Sequence, residues 1–205
     1  MTKAIAIIQS EHRNLSAVLH CLESVLRDID VRERKPDFRL LGEIFYYIVS
    51  FVFRFHHPKE DFYLFSAVRA RCPQATDVLD ELAEEHRRGD ELIETCRKAF
   101  HAYQGGGTAT FAALRAAAEA YLNLEVTHIL KEEREIIPLA EKTLTAEDWL
   151  AINTAFTDHS DPLFGTDQSA QFQALLATIA KHAPLPHSAE IADSERAAKK
   201  IWNGT

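Results

Sequence analysis

His56-His57-Pro58-Lys59-Glu60 and His128-Ile129-Leu130-Lys131-Glu132 are the two stretches whose reading decides the fold. Each lies in a segment with helical periodicity, where residues four apart sit one turn above each other on one face. Each His-x-x-x-Glu therefore aims an imidazole and a carboxylate at one point, which is metal-ligand spacing. Pro58 removes one backbone donor inside the first stretch and is expected to kink the helix beside His56.

Outward from these stretches, four long helices are expected. The first carries a seam of Ile5, Ile8, Leu15, Leu19, Leu22, Leu26 and Ile29 in alternating steps of three and four, broken only by His12, and should stop near Arg32 to Lys35. The second runs from about Asp37 to Arg71-Cys72 through Phe45, Val49, Val52, His56, Glu60, Tyr63 and Ala67. The third starts near Pro73 and follows Ala75, Leu79, Leu82, His86, Gly89, Ile93, Cys96 and Phe100, with His86 in place of an apolar residue. It should end at Gly105-Gly106-Gly107, after which Thr108 is a candidate N-cap for the fourth. That last stripe, Phe111, Leu114, Ala118, Tyr121, Glu125, His128, Glu132, Glu135 and Leu139, is polar through most of its second half.

Beyond it, Thr145 to Asp148 resembles a capping box opening a short helix through Trp149, Ile152 and Phe156. A turn-rich link with His159, Asp161 and Gly165 leads to a further amphipathic helix holding Phe172, Leu175, Leu176 and Ile179, then to a charged tail ending near Trp202. The expected fold is all-α: an antiparallel up-down four-helix bundle over residues 1–144, with short C-terminal helices in 145–205 that pack on the bundle or on a dimer partner.

If the four helices alternate in direction, His12, His56, His86 and His128 fall at one level, roughly 14 to 22 Å from the end bearing the N-terminus. A single histidine in an apolar seam is more often a hydrogen-bonded core residue than a ligand, but four at one level reverse those odds. Buried carboxylates facing each other without partners are costly, and bound metal removes that cost. Four imidazoles and two carboxylates can hold two ions, with Glu60 and Glu132 each able to bridge them. Iron, manganese and zinc all suit such donors.

Composition narrows the alternatives. A net charge of −8 with no basic stripe argues against nucleic acid, and the longest uncharged apolar stretch, residues 44–53, is far below the roughly 20 residues of a bilayer span. A soluble cytoplasmic protein is expected. Cys21, Cys72 and Cys96 form no C-x-x-C pair, so neither a disulfide framework nor a thiolate zinc site is indicated.

Glu11-His12, His56-His57-Pro58-Lys59-Glu60-Asp61, Glu85-His86 and His128-x-x-x-Glu132-Glu133, in that order, resemble the hemerythrin-like (HHE cation-binding) family over about residues 3–143. The resemblance implies two non-haem iron ions joined by an oxo or hydroxo bridge. His12 and His56 would serve one iron, His86 and His128 the other, with Glu60 and Glu132 bridging. Oxygen-carrying members have a second third-helix histidine where this chain has Asp90. Members linked to nitric oxide resistance and iron–sulfur cluster repair carry a cysteine-bearing extension ahead of the position of His12, so neither activity is carried over directly.

Three functions follow as expectations. The first is a binding or sensing protein for oxygen, nitric oxide or iron. The second is a di-iron oxidoreductase acting on peroxide, oxygen or nitric oxide, or a repair-type protein. The third is a structural di-metal bundle. Around the six residues, His57 lies about 100° from His56 and reads as a flanking residue and secondary ligand candidate. Asp90 is favoured as a partner for an imidazole N–H. Glu125 and Glu135 are candidates to orient ligands, Glu133 competes with Glu132, and Tyr63 and Tyr121 are candidates to line a pocket. His20, His101, His159, His182 and His187 stay unassigned.

Overall fold

The computed structural model describes residues 2–158, 161–163 and 173–182, and all regular structure within them is helical. His159, His187, Phe172 and Trp202, and the side chains of Thr108, Leu176 and His182, lie outside the described residues. Helix α1 spans Lys3–Arg32, opened by Thr2, whose hydroxyl accepts from the Ile5 N–H. It ends where Glu33 turns left-handed at φ 50° and the following Arg34 N–H donates to the Asp28 carbonyl. The seam read from the sequence is its buried face.

Helix α2 begins at an Asp37 cap and is continuous but not uniform. It comprises α-helical Phe38–Tyr47, π-helical Ile48–His56, a single α turn at His57–Lys59, π-helical Glu60–Phe65 and α-helical Ser66–Arg71. The expected disturbance beside Pro58 thus takes the form of a change of register. Proline at 58 cannot bond the carbonyl of residue 54, and its ring crowds that turn. Widening to i→i+5 bonds accommodates both, as in the His57 N–H bond to the Val52 carbonyl.

After a 3-10 turn at Pro73–Ala75, α3 runs over Thr76–Gly106 and stops at Gly107, whose φ of 68° an L side chain would resist. Helix α4 comprises Phe111–Lys131, π-helical Glu132–Ile136 and Ile137–Thr143. Its N-cap is Thr110, not the expected Thr108, because residues 107–110 form a 3-10 turn that delays the helix. The capping box at Thr145 and Asp148 is present and opens α5, Ala146–Thr157. A last described helix, α6, is Gln173–His182.

Two apolar cores result. One joins Leu15 to Leu26 of α1 with the first halves of α2 and α4, the second half of α3, and Leu175 and Ile179 of α6. The other joins Ala4, Ile5 and Ile8 of α1 with the far ends of α2, α3 and α4 and with Trp149, Ile152 and Phe156 of α5. Helix α5 packs on α1, and α6 packs on α1 and α2. Asp161 pins the segment between them, accepting from the Tyr47 hydroxyl at 2.9 Å, Asn14 Nδ2 at 3.0 Å and the Leu163 N–H at 2.9 Å. No helix among the described residues is long and apolar enough to cross a membrane.

Candidate metal centre

Between the two cores lies a polar layer to which all four long helices contribute. His12, His56, Glu60, His86, His128 and Glu132 are all buried there, none more than 5% exposed. Glu60 and Glu132 each occupy the first position of a π-helical stretch.

The six expected residues converge. Glu60 Oε1 lies 3.4 Å from both His12 Nε2 and His56 Nε2, while its Oε2 faces His86 Nε2 at 3.7 Å. Glu132 spans in the same way, with Oε2 3.1 Å from His12 Nε2 and Oε1 3.4 Å from His128 Nε2. The Nε2 atoms of His86 and His128 are 2.9 Å apart. Two compact donor groups emerge, one of His12, His56 and Glu60 and one of His57, Glu60, His86 and His128, with Glu60 common to both.

The outer nitrogens follow a rule. His56 Nδ1 pairs with Glu11 at 2.8 Å, His86 Nδ1 with Asp61 at 3.0 Å, His128 Nδ1 with Glu85 at 3.0 Å and His12 Nδ1 with Glu133 at 2.8 Å. Each carboxylate comes from the preceding helix in the order α1, α2, α3, α4, and the last returns to α1, so the pairs close a ring. A carboxylate on Nδ1 fixes the ring orientation and leaves Nε2 pointing inward as a donor.

These partners differ from those expected. Asp90 is exposed and makes no such pair; Asp61 holds His86 instead. Glu135 and Tyr63 are also exposed and face away from the layer, whereas Glu125 and Tyr121 are buried. Glu133 turns to the outer nitrogen of His12 while Glu132 faces inward, so the two do not compete for one place. His20 pairs with Glu23 and His101 with Gln104 at the exposed surface.

The residue that periodicity set aside is His57. It is buried, stacked on His86 with ring centroids 4.0 Å apart, and its edge meets Phe53. A π-helical turn rotates less per residue than an α turn, which lets two consecutive histidines face the interior. Pro58 was the available signal, because it marks where the α-helical angle stops applying. A cleft of about 190 Å³ between α2 and α3, lined by Phe53, Pro58, Asp61, Arg87 and Asp90 among others, reaches His57 and His86 from the surface.

The electrostatics of the layer are those of imidazoles and carboxylates packed together away from solvent. Burial disfavours a charged His12, yet Glu132, Glu133 and Glu60 outweigh it and raise its pKa well above the ordinary 6.5. His128 is raised in the same way by Glu132 and Glu85, and His56 by Glu60 and Glu11, each against burial. Glu132, despite burial, is held well below the usual carboxylate range by His128 and His12. His57 behaves oppositely: burial, then the neighbouring His86 and His128, push its pKa well down. Burial pushes Glu125 up.

Protons do not satisfy the layer. His12 Nε2, both oxygens of Glu60 and both oxygens of Glu132 are buried without a well-formed hydrogen bond. Leaving one such atom unpaired costs about 1–3 kcal/mol, more when charged, and five converging on one space make a cation the group that fits. The donors are all nitrogen and oxygen, while Cys21, Cys72 and Cys96 lie in the apolar cores.

No curated protein and no solved structure matches the chain. One family does match: with the Hemerythrin HHE cation binding domain covering residues 3–140, a span that contains every residue of the layer, the chain belongs to that family.

Proposed function

We propose that this chain is a non-haem di-iron protein that binds or senses a small ligand, oxygen or nitric oxide, or iron itself. The observation that carries this reading is the convergence between two apolar cores of five buried donor atoms from α1, α2 and α4 that lack a well-formed hydrogen bond. His12 and His56 serve one ion and His86 and His128 the other, with Glu60 and Glu132 bridging. The four long helices run alternately up and down, which brings these residues to one level.

Iron in this layer supplies redox capacity and coordination positions that protein atoms do not fill. The chain does the rest. Glu60 and Glu132 present one oxygen to each side, the Nδ1 carboxylates hold the imidazoles in orientation, and the layer is buried on every side but the one the α2–α3 cleft reaches. The cleft between α2 and α3 admits molecules of diatomic size to the His57 and His86 rings.

Metal analysis and the visible spectrum of aerobically purified protein test the reading. The expected result is two irons per chain, with an absorption band that changes on adding azide or nitric oxide. Protein that carries zinc and shows no ligand-responsive band overturns it.

A further inference from the structure

Among the described residues, four of the five buried histidines share one arrangement, with Nδ1 on a carboxylate and Nε2 turned into the layer. His57 inverts it. Its Nε2 faces Glu125 Oε2 at 3.9 Å, and its Nδ1 is buried with no hydrogen-bond partner. Its donor atom lies within 4.8 Å of those of Glu60, His86 and His128, so it belongs to one of the two compact groups by position.

A packing role explains less. A ring needed only to stack on His86 and meet Phe53 would serve as well as phenylalanine, without the cost of burying an unpaired nitrogen. Glu125, too, is placed at a cost. It is a buried carboxyl on α4 facing the Tyr121 hydroxyl, and α3 makes room for it with Gly89, where a Cβ would stand 3.2 Å from Glu125 Oε1 and 3.3 Å from Phe53. Metal-bound imidazoles usually donate their other N–H to a carboxylate. His57 and Glu125 are one small side-chain adjustment from that contact.

We propose that His57 is a fifth imidazole ligand, a third nitrogen on the His86 and His128 side of the centre, with Glu125 as the carboxylate that positions it. The inference rests on the di-metal reading above. It makes the halves unequal, with three imidazoles on one side and His12 and His56 on the other.

The test uses the full chain, loaded anaerobically with iron(II) and titrated with a competing chelator, and reads affinity and stoichiometry rather than activity. His57→Phe keeps the stacked ring and removes the nitrogens. It is expected to weaken one of the two ions by about tenfold or more while the other stays, and Glu125→Ala is expected to weaken the same ion to a smaller extent. In His57→Ala, added imidazole is expected to restore binding while added benzene, which fills the same space without a nitrogen, is not; rescue by both would mean packing and overturn the proposal. His57→Phe holding two irons as tightly as the unaltered chain, with its helical circular dichroism intact, overturns the proposal. An unaltered chain that binds no iron pair overturns the di-metal reading, and this inference with it.

Discussion

At the scale of single residues, a ring of carboxylates sets the orientation of four buried imidazoles. Glu11, Asp61, Glu85 and Glu133 each stand next to a residue of the layer in sequence, yet each serves a histidine on another helix. Replacing one should therefore loosen a ligand it does not adjoin. Glu11→Gln is expected to lower metal affinity by about 10- to 100-fold through His56, measured by chelator competition. An unchanged affinity would count against the ring. A pH dependence follows as well. His12, His56 and His128 have folded-state values above 6.5, so their contribution to the metal-free fold is complete below 6.5 and is lost as pH rises through the raised values. Metal binding displaces those protons and strengthens over the same range. Thermal melts above pH 6.5 should show the metal-free protein losing stability and the gap to the loaded protein widening. A gap that does not change with pH would contradict this.

At the scale of elements, the seams of α1 and α3 are legible because those helices obey α-helical periodicity, and the His-x-x-x-Glu spacing is legible because the residues inside each pair, 57–59 and 129–131, are α-helical even though π-helical stretches adjoin them. The misreadings cluster where that periodicity fails or where distance in space replaces distance in sequence. The angle of about 100° that puts His57 on the flank holds only for an α turn, whereas His57 adjoins a π-helical stretch. Sequence spacing favours Asp90 for His86 because it is one turn away on the same helix, while Asp61 reaches that ring from α2. Gly89 illustrates an element-level constraint. Its missing Cβ lets α3 approach Phe53 of α2 and Glu125 of α4, so Gly89→Val should destabilise the fold by about 1–3 kcal/mol through overcrowding, read as a lower denaturant midpoint. Asp148 links two elements: it completes the capping box of α5 and accepts from Arg71 Nε at 2.8 Å at the end of α2. Asp148→Ala leaves the Thr145 cap but removes the acceptor for the Thr145 N–H and for Arg71, and should cost about 0.5–1.5 kcal/mol, read in the same denaturant melts.

At the scale of the whole molecule, the layer divides the interior. One apolar core lies toward α6 and the other toward α5, and the residues between them are histidines and glutamates whose mutual contacts are incompletely satisfied. The four long helices run through the layer from one core to the other, and the carboxylate ring ties them together there. Ions bound there as proposed would add a linkage that the unfolded chain cannot supply, about 2.7 kcal/mol per site when free metal is near a hundred times Kd. For a chain of this size that corresponds to roughly 5 to 10 °C in Tm. The placement of the loss is more telling than its amount. If the layer joins two cores, removing metal should lower amide protection first around His56 to Glu60 and His128 to Glu132, then in the core built on Ile5, Leu79 and Phe156, while the core around Leu22, Ile44 and Leu114 keeps its protection longest. That order follows from size, since the latter core gathers more buried residues and is braced by α6. Hydrogen exchange on loaded and chelator-treated protein measures it segment by segment. A uniform loss across both cores would mean that the layer is a cofactor site set into one cooperative fold rather than the joint between two.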